Sequence, residues 1–249
     1  MNTSPTLAPQ WPIYLAEARC ELLRVVRTPA FVVPSLAFPL VFYLMFGVLL
    51  GHGQGALPLL ASYTVFGAMA PGLFGFGVGL ALDRERGLLT LKRALPTPPA
   101  AWLLARVAMA TVFALAIAAL LLAAGMLCGG VRMPPTQAAA LLAVAVFAAW
   151  PFCGIGLLVG SFVPANAAPA VVNLVYLPMS LLSGLWMPLS VLPPVFSALA
   201  PLWPAWHLGQ LARLAVGLPA QGAAWTHVAV PLAIAALCLA LAQRRLRRE

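Results

Sequence analysis

Apolar runs of about twenty residues recur between residues 30 and 243, and they limit what the chain can become. Lipid hydrocarbon offers no water to a backbone N–H or C=O, so a spanning segment must close its own hydrogen bonds. A helix does this, and about twenty residues at ~1.5 Å each cross ~30 Å of hydrocarbon. Six runs reach that length or approach it: about 30–50, 57–82, 102–128, 136–160, 169–187 and 227–243. Of 249 residues, 63% are hydrophobic and 8% are charged. A soluble globular domain carries about 25% charged residues. The expected fold is an all-α integral membrane protein with six transmembrane helices. It forms a single domain over 1–249, with no room beside the spans for a soluble one.

Charge placement orients the spans. Arg19, Arg24 and Arg27 precede the first, and Arg84, Arg86, Lys92, Arg93 and Arg106 lie between or just inside the second and third. Arg244, Arg245, Arg247 and Arg248 follow the sixth. Six spans put these twelve of the fourteen basic residues on one side, with Arg132 and Arg213 on the other. By the positive-inside rule the crowded side is cytoplasmic, as are both termini. The same placement answers the net charge of +9: the cations flank spans instead of forming one nucleic-acid surface. The first 29 residues carry Glu17 and Glu21 and lead into a full-length span, unlike a cleaved signal.

Residues 186–206, WMPLSVLPPVFSALAPLWPAW, are apolar enough for a seventh crossing, but that would put RRLRR outside. Pro188, Pro193, Pro194, Pro201 and Pro204 also oppose a continuous helix. The expectation for 188–206 is short helical pieces re-entering the outer leaflet, with Trp186, Trp203 and Trp206 at the membrane–water interface. At the other end, residues 10–27 form an amphipathic interfacial helix. Tyr14, Leu15, Ala18, Leu22, Val25 and Val26 share one face, and Glu17, Glu21, Arg24 and Arg27 the other.

No Asp, Glu, Lys or Arg lies near the centre of a span, where an ion-coupled carrier usually needs one. Backbone coordination of sodium stays open. GxSxG, HExxH and the phosphate-binding GxxxxGK[ST] are all absent. His52, His207 and His227 map to the outer side, far apart in sequence, and read as interfacial histidines. Cys20, Cys128, Cys153 and Cys238 show no metal spacing and read as small hydrophobes. GVLLG (47–51), GFGVG (75–79), GMLCG (125–129) and GLLVG (156–160) fit close helix packing. Thr64 lies in the second span, and Asn173, Tyr176 and Ser180 share a face of the fifth. These four either line a translocation path or hydrogen-bond between helices. Kinks are expected at Pro71 and around Pro169 and Pro178.

Between Asp83 and Arg93 fall six of the nineteen charged residues (fourteen basic and five acidic). Gly87 is followed by Leu88, Leu91 and Leu95 at helical spacing, and Pro96, Pro98 and Pro99 end the element. By composition this is a lipid-surface helix. The order of elements adds a resemblance. TLKRALPTP (90–98) resembles the loop after span two in the ABC type-2 permease family, where GTLKRLLATP is a common form. The family's glycine before the threonine is Leu89 here, with Gly87 two residues earlier. SGLWMPLSVLPPVFSALAPLWP (183–204) resembles the family's outer segment.

The resemblance implies the permease subunit of a bacterial ABC exporter in the cytoplasmic (inner) membrane. The chain would bind no cofactor itself, with ATP and Mg on a partner ATPase subunit. It would pair with a second permease copy as a homo- or heterodimer, amid membrane lipid and without nucleic acid. The 83–99 loop becomes a coupling loop. Asp83, Arg84, Glu85, Arg86, Lys92 and Arg93, with Glu17, Glu21 and Arg24, become ATPase-docking residues, and spans two and five frame the path. A passive channel, an ion-coupled carrier and a membrane-embedded enzyme or assembly factor are the alternatives.

Overall fold

In a computed structural model, residues 11–50, 55–94 and 98–246 are described, with Lys92, Arg93 and Pro99 described by backbone alone. Ten α-helices follow in order among them: α1 Trp11–Val26, α2 Pro29–Phe42, α3 Ala56–Glu85, α4 Leu88–Ala94, α5 Pro99–Leu127, α6 Pro135–Phe162, α7 Ala168–Leu182, α8 Pro194–Leu199, α9 Pro204–Ala215 and α10 Ala224–Leu246. Prolines open five of them, at the position where a missing N–H costs no helical bond. The α2 helix continues as a π-helical run, Tyr43–Leu49, shortly after Pro39. No strand occurs among the described residues.

Among the described residues, five helical stretches are long and apolar enough to cross a membrane: Pro29–Leu49, Ala56–Glu85, Ala100–Leu127, Pro135–Phe162 and Ala224–Leu246. The α7 helix, expected over 169–187, ends at Leu182 after 15 residues. Gly184, at φ +71°, turns the chain there, a conformation that favours glycine. Beyond it the proline-rich stretch folds as the short pieces expected, Leu189–Val191, α8 and Ala200–Leu202. The sequence reading did not foresee α9 as a helix of its own.

The α3 helix is the centre of the bundle. A Cβ at Gly72 would meet backbone of Ala149, Phe152 and Cys153, and one at Gly160 would meet the Gly77 and Phe76 carbonyls, so α3 and α6 run parallel in close contact. The GLLVG pattern therefore packs helices within the chain. Against α5, Gly67 faces Ile117, Gly75 faces Met109 and Gly79 faces Arg106, an antiparallel pairing. The α7 helix also runs antiparallel to α3: Val172 meets Gly77, and the Tyr176 hydroxyl donates to the Phe66 carbonyl at 3.1 Å. The Tyr63 hydroxyl reaches the Trp186 carbonyl at 3.3 Å. The α2 helix crosses the same core through Phe38, which contacts Phe66 and Trp186. Trp186 thus packs against Phe66, and Trp206 is buried in protein.

Two amphipathic elements pack against the bundle by residues outside their expected apolar faces. On α1, Glu21 turns inward and is 7% exposed, whereas Trp11, Leu15 and Val26 are exposed. The polar face meets protein because a buried cation waits there. On α4, Leu89 packs with Trp102, Val107 and Leu246 around Phe76 and Leu80, while Leu91 is 58% exposed. Leu95 lies outside the described residues.

The glycine contacts predict a contrast. Gly156→Ala places a Cβ 2.7 Å from the Gly72 carbonyl oxygen, which is backbone and cannot step aside. It should destabilise the detergent-solubilised protein by about 1–3 kcal/mol. Gly75→Ala meets only the end of the Met109 side chain and should leave the unfolding midpoint nearly unchanged. Equal midpoints for the two variants would contradict this packing.

Candidate functional site

The charged end of the bundle is organised by Arg106, one of the largest fully buried side chains at 0% exposed. It stands two turns into α5, and a buried guanidinium persists only when paired. Its Nη2 donates to the Asp83 carboxylate near the end of α3. Its Nε lies 3.0 Å from the Glu21 carboxylate on α1. Arg24, on the solvent side, closes the group at 3.2 Å from Asp83 and 3.5 Å from Glu21. Two acids and two guanidiniums thereby join three helices. The Trp102 ring lies 4.6 Å from the Arg106 guanidinium carbon and adds a cation–π contact. Nearby, Arg84 donates to the Gly160 carbonyl at 3.0 Å, meeting one of the orphan carbonyls in the last turn of α6.

Beside this group opens a cavity of about 800 Å³, bounded by α1, α2, α3 and α7. Glu21, Arg24 and Arg86 line its charged rim, and Phe31, Phe38, Phe74 and Tyr176 its interior. The four polar residues expected on a path are placed differently. Asn173 is exposed and lines the cavity wall. Tyr176 contributes its ring to the wall but directs its hydroxyl to the Phe66 carbonyl, with the two rings stacked at 4.9 Å. Thr64 and Ser180 are buried and donate to carbonyls of their own helices, Leu60 at 2.7 Å and Tyr176 at 2.6 Å. Gly79 belongs to both features. It lines the cavity on one side, and the Arg106 guanidinium lies close behind it.

The expected docking residues separate in the same way. Glu21 and Asp83, 7% and 1% exposed, face the interior pair network. Arg24 is exposed and bridges to them, and Glu17 and Arg84 are half-buried. Glu85 and Arg86 are exposed at the end of α3. Gly87, at φ +70°, then reverses the chain: its N–H donates to Arg84, and its carbonyl accepts the Leu91 N–H at the start of α4. Gly87 therefore closes one helix and opens the next, which accounts for its offset from the threonine. Lys92 and Arg93 fall on α4.

Sequence reasoning counted Arg106 only as an orienting charge. A signal was available, since it is a lone cation inside an apolar helix with an acid at the end of the preceding span. It also separated two histidines that the fold joins at the opposite end. His207 Nδ1 and His227 Nδ1 lie 2.9 Å apart, with His207 Nε2 at 2.9 Å from the Pro201 carbonyl. Donation to Pro201 leaves His207 Nδ1 as the acceptor for the N–H of His227. Burial pushes His207 below its ordinary value near 6.5; the Pro201 carbonyl opposes this, and His227 adds to it.

Residues 14–216 match the family described as ABC-2 type transporter. A Bacillus subtilis (strain 168) protein named "Putative transport permease YvfS" is 27% identical over 195 residues, covering 76% of this chain and 79% of that protein.

Two outcomes follow from these groups. Arg106→Gln strands two buried carboxylates beside Arg24 alone and should cost about 3–5 kcal/mol of stability. Adding Asp83→Asn should recover part of that loss, and a double variant less stable than the single one would contradict the pairing. The lowered pKa of His207 means that its neutral form stabilises the fold. That contribution is complete above about pH 6.5 and is lost as pH falls through the lower folded value. Thermal midpoints should fall between pH 7.5 and 5.5, and His207→Phe should flatten the dependence.

Proposed function

The chain belongs to the ABC-2 type transporter family, and on that premise we propose that it is the permease subunit of an ATP-binding cassette exporter. It is a multi-pass helical membrane protein and a transport permease. The finer reading is that a separate nucleotide-binding subunit holds ATP and Mg, docks at the charged end and drives movement across the cytoplasmic (inner) membrane. A second permease copy, identical or related, completes the path.

One observation carries this reading: Arg106 joins α1 and the end of α3 to α5 directly behind the cavity. A force on α1 or on the α3–α4 turn acts on the cavity wall through buried ion pairs. The proposed docking set is Glu17, Arg24, Arg84, Glu85, Arg86, Lys92 and Arg93, of which Arg24, Glu85 and Arg86 are exposed. Glu21 and Asp83 act one layer inside, holding those segments. Asn173 and the Tyr176 ring face the path, while Thr64 and Ser180 hold its wall. A cavity with aromatic walls and one amide suits an amphipathic small molecule.

The topology belongs to the same proposal. The α7 helix alone reaches ~22 Å, but with the turn after it the chain lies along α3 from Ala81 to Tyr63, ~27 Å at ~1.5 Å per residue. That length supports reading a sixth crossing, with both termini in the cytoplasm and 188–206 re-entering the outer leaflet.

The test is co-purification with any P-loop protein that the neighbouring genes encode, followed by ATPase assay with and without substrate. Glu85→Arg and Arg93→Glu should lower coupled hydrolysis about tenfold, within the usual range of coupling energies. Membrane insertion should be unaffected. Full coupling in both variants would remove the docking role, and failure of any P-loop subunit to bind would remove the exporter reading.

A further inference from the structure

At the end of the bundle opposite Arg106 is a second pocket, of about 390 Å³, between the turn after α7 and the α9 helix. That volume is near the lower end for small-molecule sites and suits a headgroup more than a drug. Its lining includes Ser62, Ser183, Trp206, Gln210, Arg213 and Gln221.

The chemistry of this lining is one-sided. Ser183 is 4% exposed, and its Oγ has no hydrogen-bond partner although it borders the pocket. A buried hydroxyl without a partner marks a place where one is missing. Gln210 uses its Oε1 to accept the Gln221 N–H at 3.0 Å, which leaves its NH2 to donate. Arg213 donates from Nε to the Pro219 carbonyl at 3.0 Å, fixing the guanidinium while its two NH2 groups remain. The described acids Glu17, Glu21, Asp83 and Glu85 all lie on α1 and the far end of α3. Donors and a cation therefore converge with no carboxylate to meet them. A guanidinium fork matches a phosphate or carboxylate with two parallel bonds.

We propose that this pocket binds the phosphate of a glycerol-phosphate headgroup, with Arg213 and Gln210 on the anion and the serine hydroxyls on its oxygens. The Trp206 ring supplies one apolar wall. The headgroup comes from an anionic lipid such as phosphatidylglycerol or from a free polyol phosphate, and the two sources share this chemistry.

The experiment uses the full chain in zwitterionic detergent and native mass spectrometry. Phosphatidylglycerol, phosphatidylcholine and soluble glycerol 1-phosphate are titrated separately. Phosphatidylglycerol should be retained over phosphatidylcholine. Arg213→Gln should weaken it about tenfold or more, the effect of losing one charge-assisted hydrogen bond. Ser183→Ala should weaken it about threefold, with the unfolding midpoint unchanged. Arg132→Gln, an exposed arginine outside the pocket, should have no effect. Binding of glycerol 1-phosphate together with the lipid assigns recognition to the headgroup itself. Binding of the lipid alone assigns the lipid as source, and binding of the soluble compound alone assigns the free phosphate. The proposal is overturned if neither anion is preferred over phosphatidylcholine. It is equally overturned if Arg213→Gln binds like the unaltered chain, or if Arg132→Gln loses as much as Arg213→Gln.

Discussion

A guanidinium with no exposed surface must be met by carboxylates, and the whole charged end of this protein follows from that need. Arg106 is brought inside by the apolar helix that carries it. Asp83 can meet it only if α3 ends at the level where α5 begins, which the short α4 turn arranges. Glu21 can meet it only if α1 lies across both, polar face inward. The pairs therefore choose a register among three helices that apolar packing alone would leave free to slide. In lipid this matters more than in water, because contacts between apolar helices carry little preference over contacts with acyl chains.

The other sides of α3 solve a different problem. Where it meets α6, glycines bring backbone against backbone, and dispersion replaces the hydrophobic effect as the source of attraction. Such a contact has no side chain that can rearrange, so α3 and α6 are held rigidly together. Where α3 faces α2 and α7, aromatic rings hold the helices together near Phe66, and toward the charged end the helices part around the cavity. One helix thus has a rigid flank and an open one.

Apolar length made the long helices legible almost to their ends: 57–82 against Ala56–Glu85, and 136–160 against Pro135–Phe162. Prolines marked the broken stretch near residue 190 for a direct reason, the missing N–H. Periodicity was less informative. On α1 it separated polar from apolar residues, but it could not say that Glu21 faces a buried arginine instead of water. On α4 it selected Leu91, whereas Leu89 finds the core because Phe76 and Leu80 lie on that side. The His207–His227 contact was invisible because the two residues are joined by a turn of the chain and not by spacing along one helix. What sequence pattern could not supply, in each case, was the identity of the surface opposite.

Gly79 shows why these pieces belong together. At this position α3 has no side chain, so the cavity and the buried guanidinium are separated by the thickness of a backbone. A larger residue would push the Arg106 head away and loosen both acids that hold it. Displacement of α1 or of the end of α3 acts on the same guanidinium from the other direction, because Glu21 and Asp83 are its partners. Buried ion pairs resist partial separation, since a half-separated pair has lost its attraction without regaining water. They transmit displacement more stiffly than exposed pairs, which water and salt can replace. The charged end is therefore tied to its attached helices as a unit, and the cavity wall at Gly79 lies within that unit.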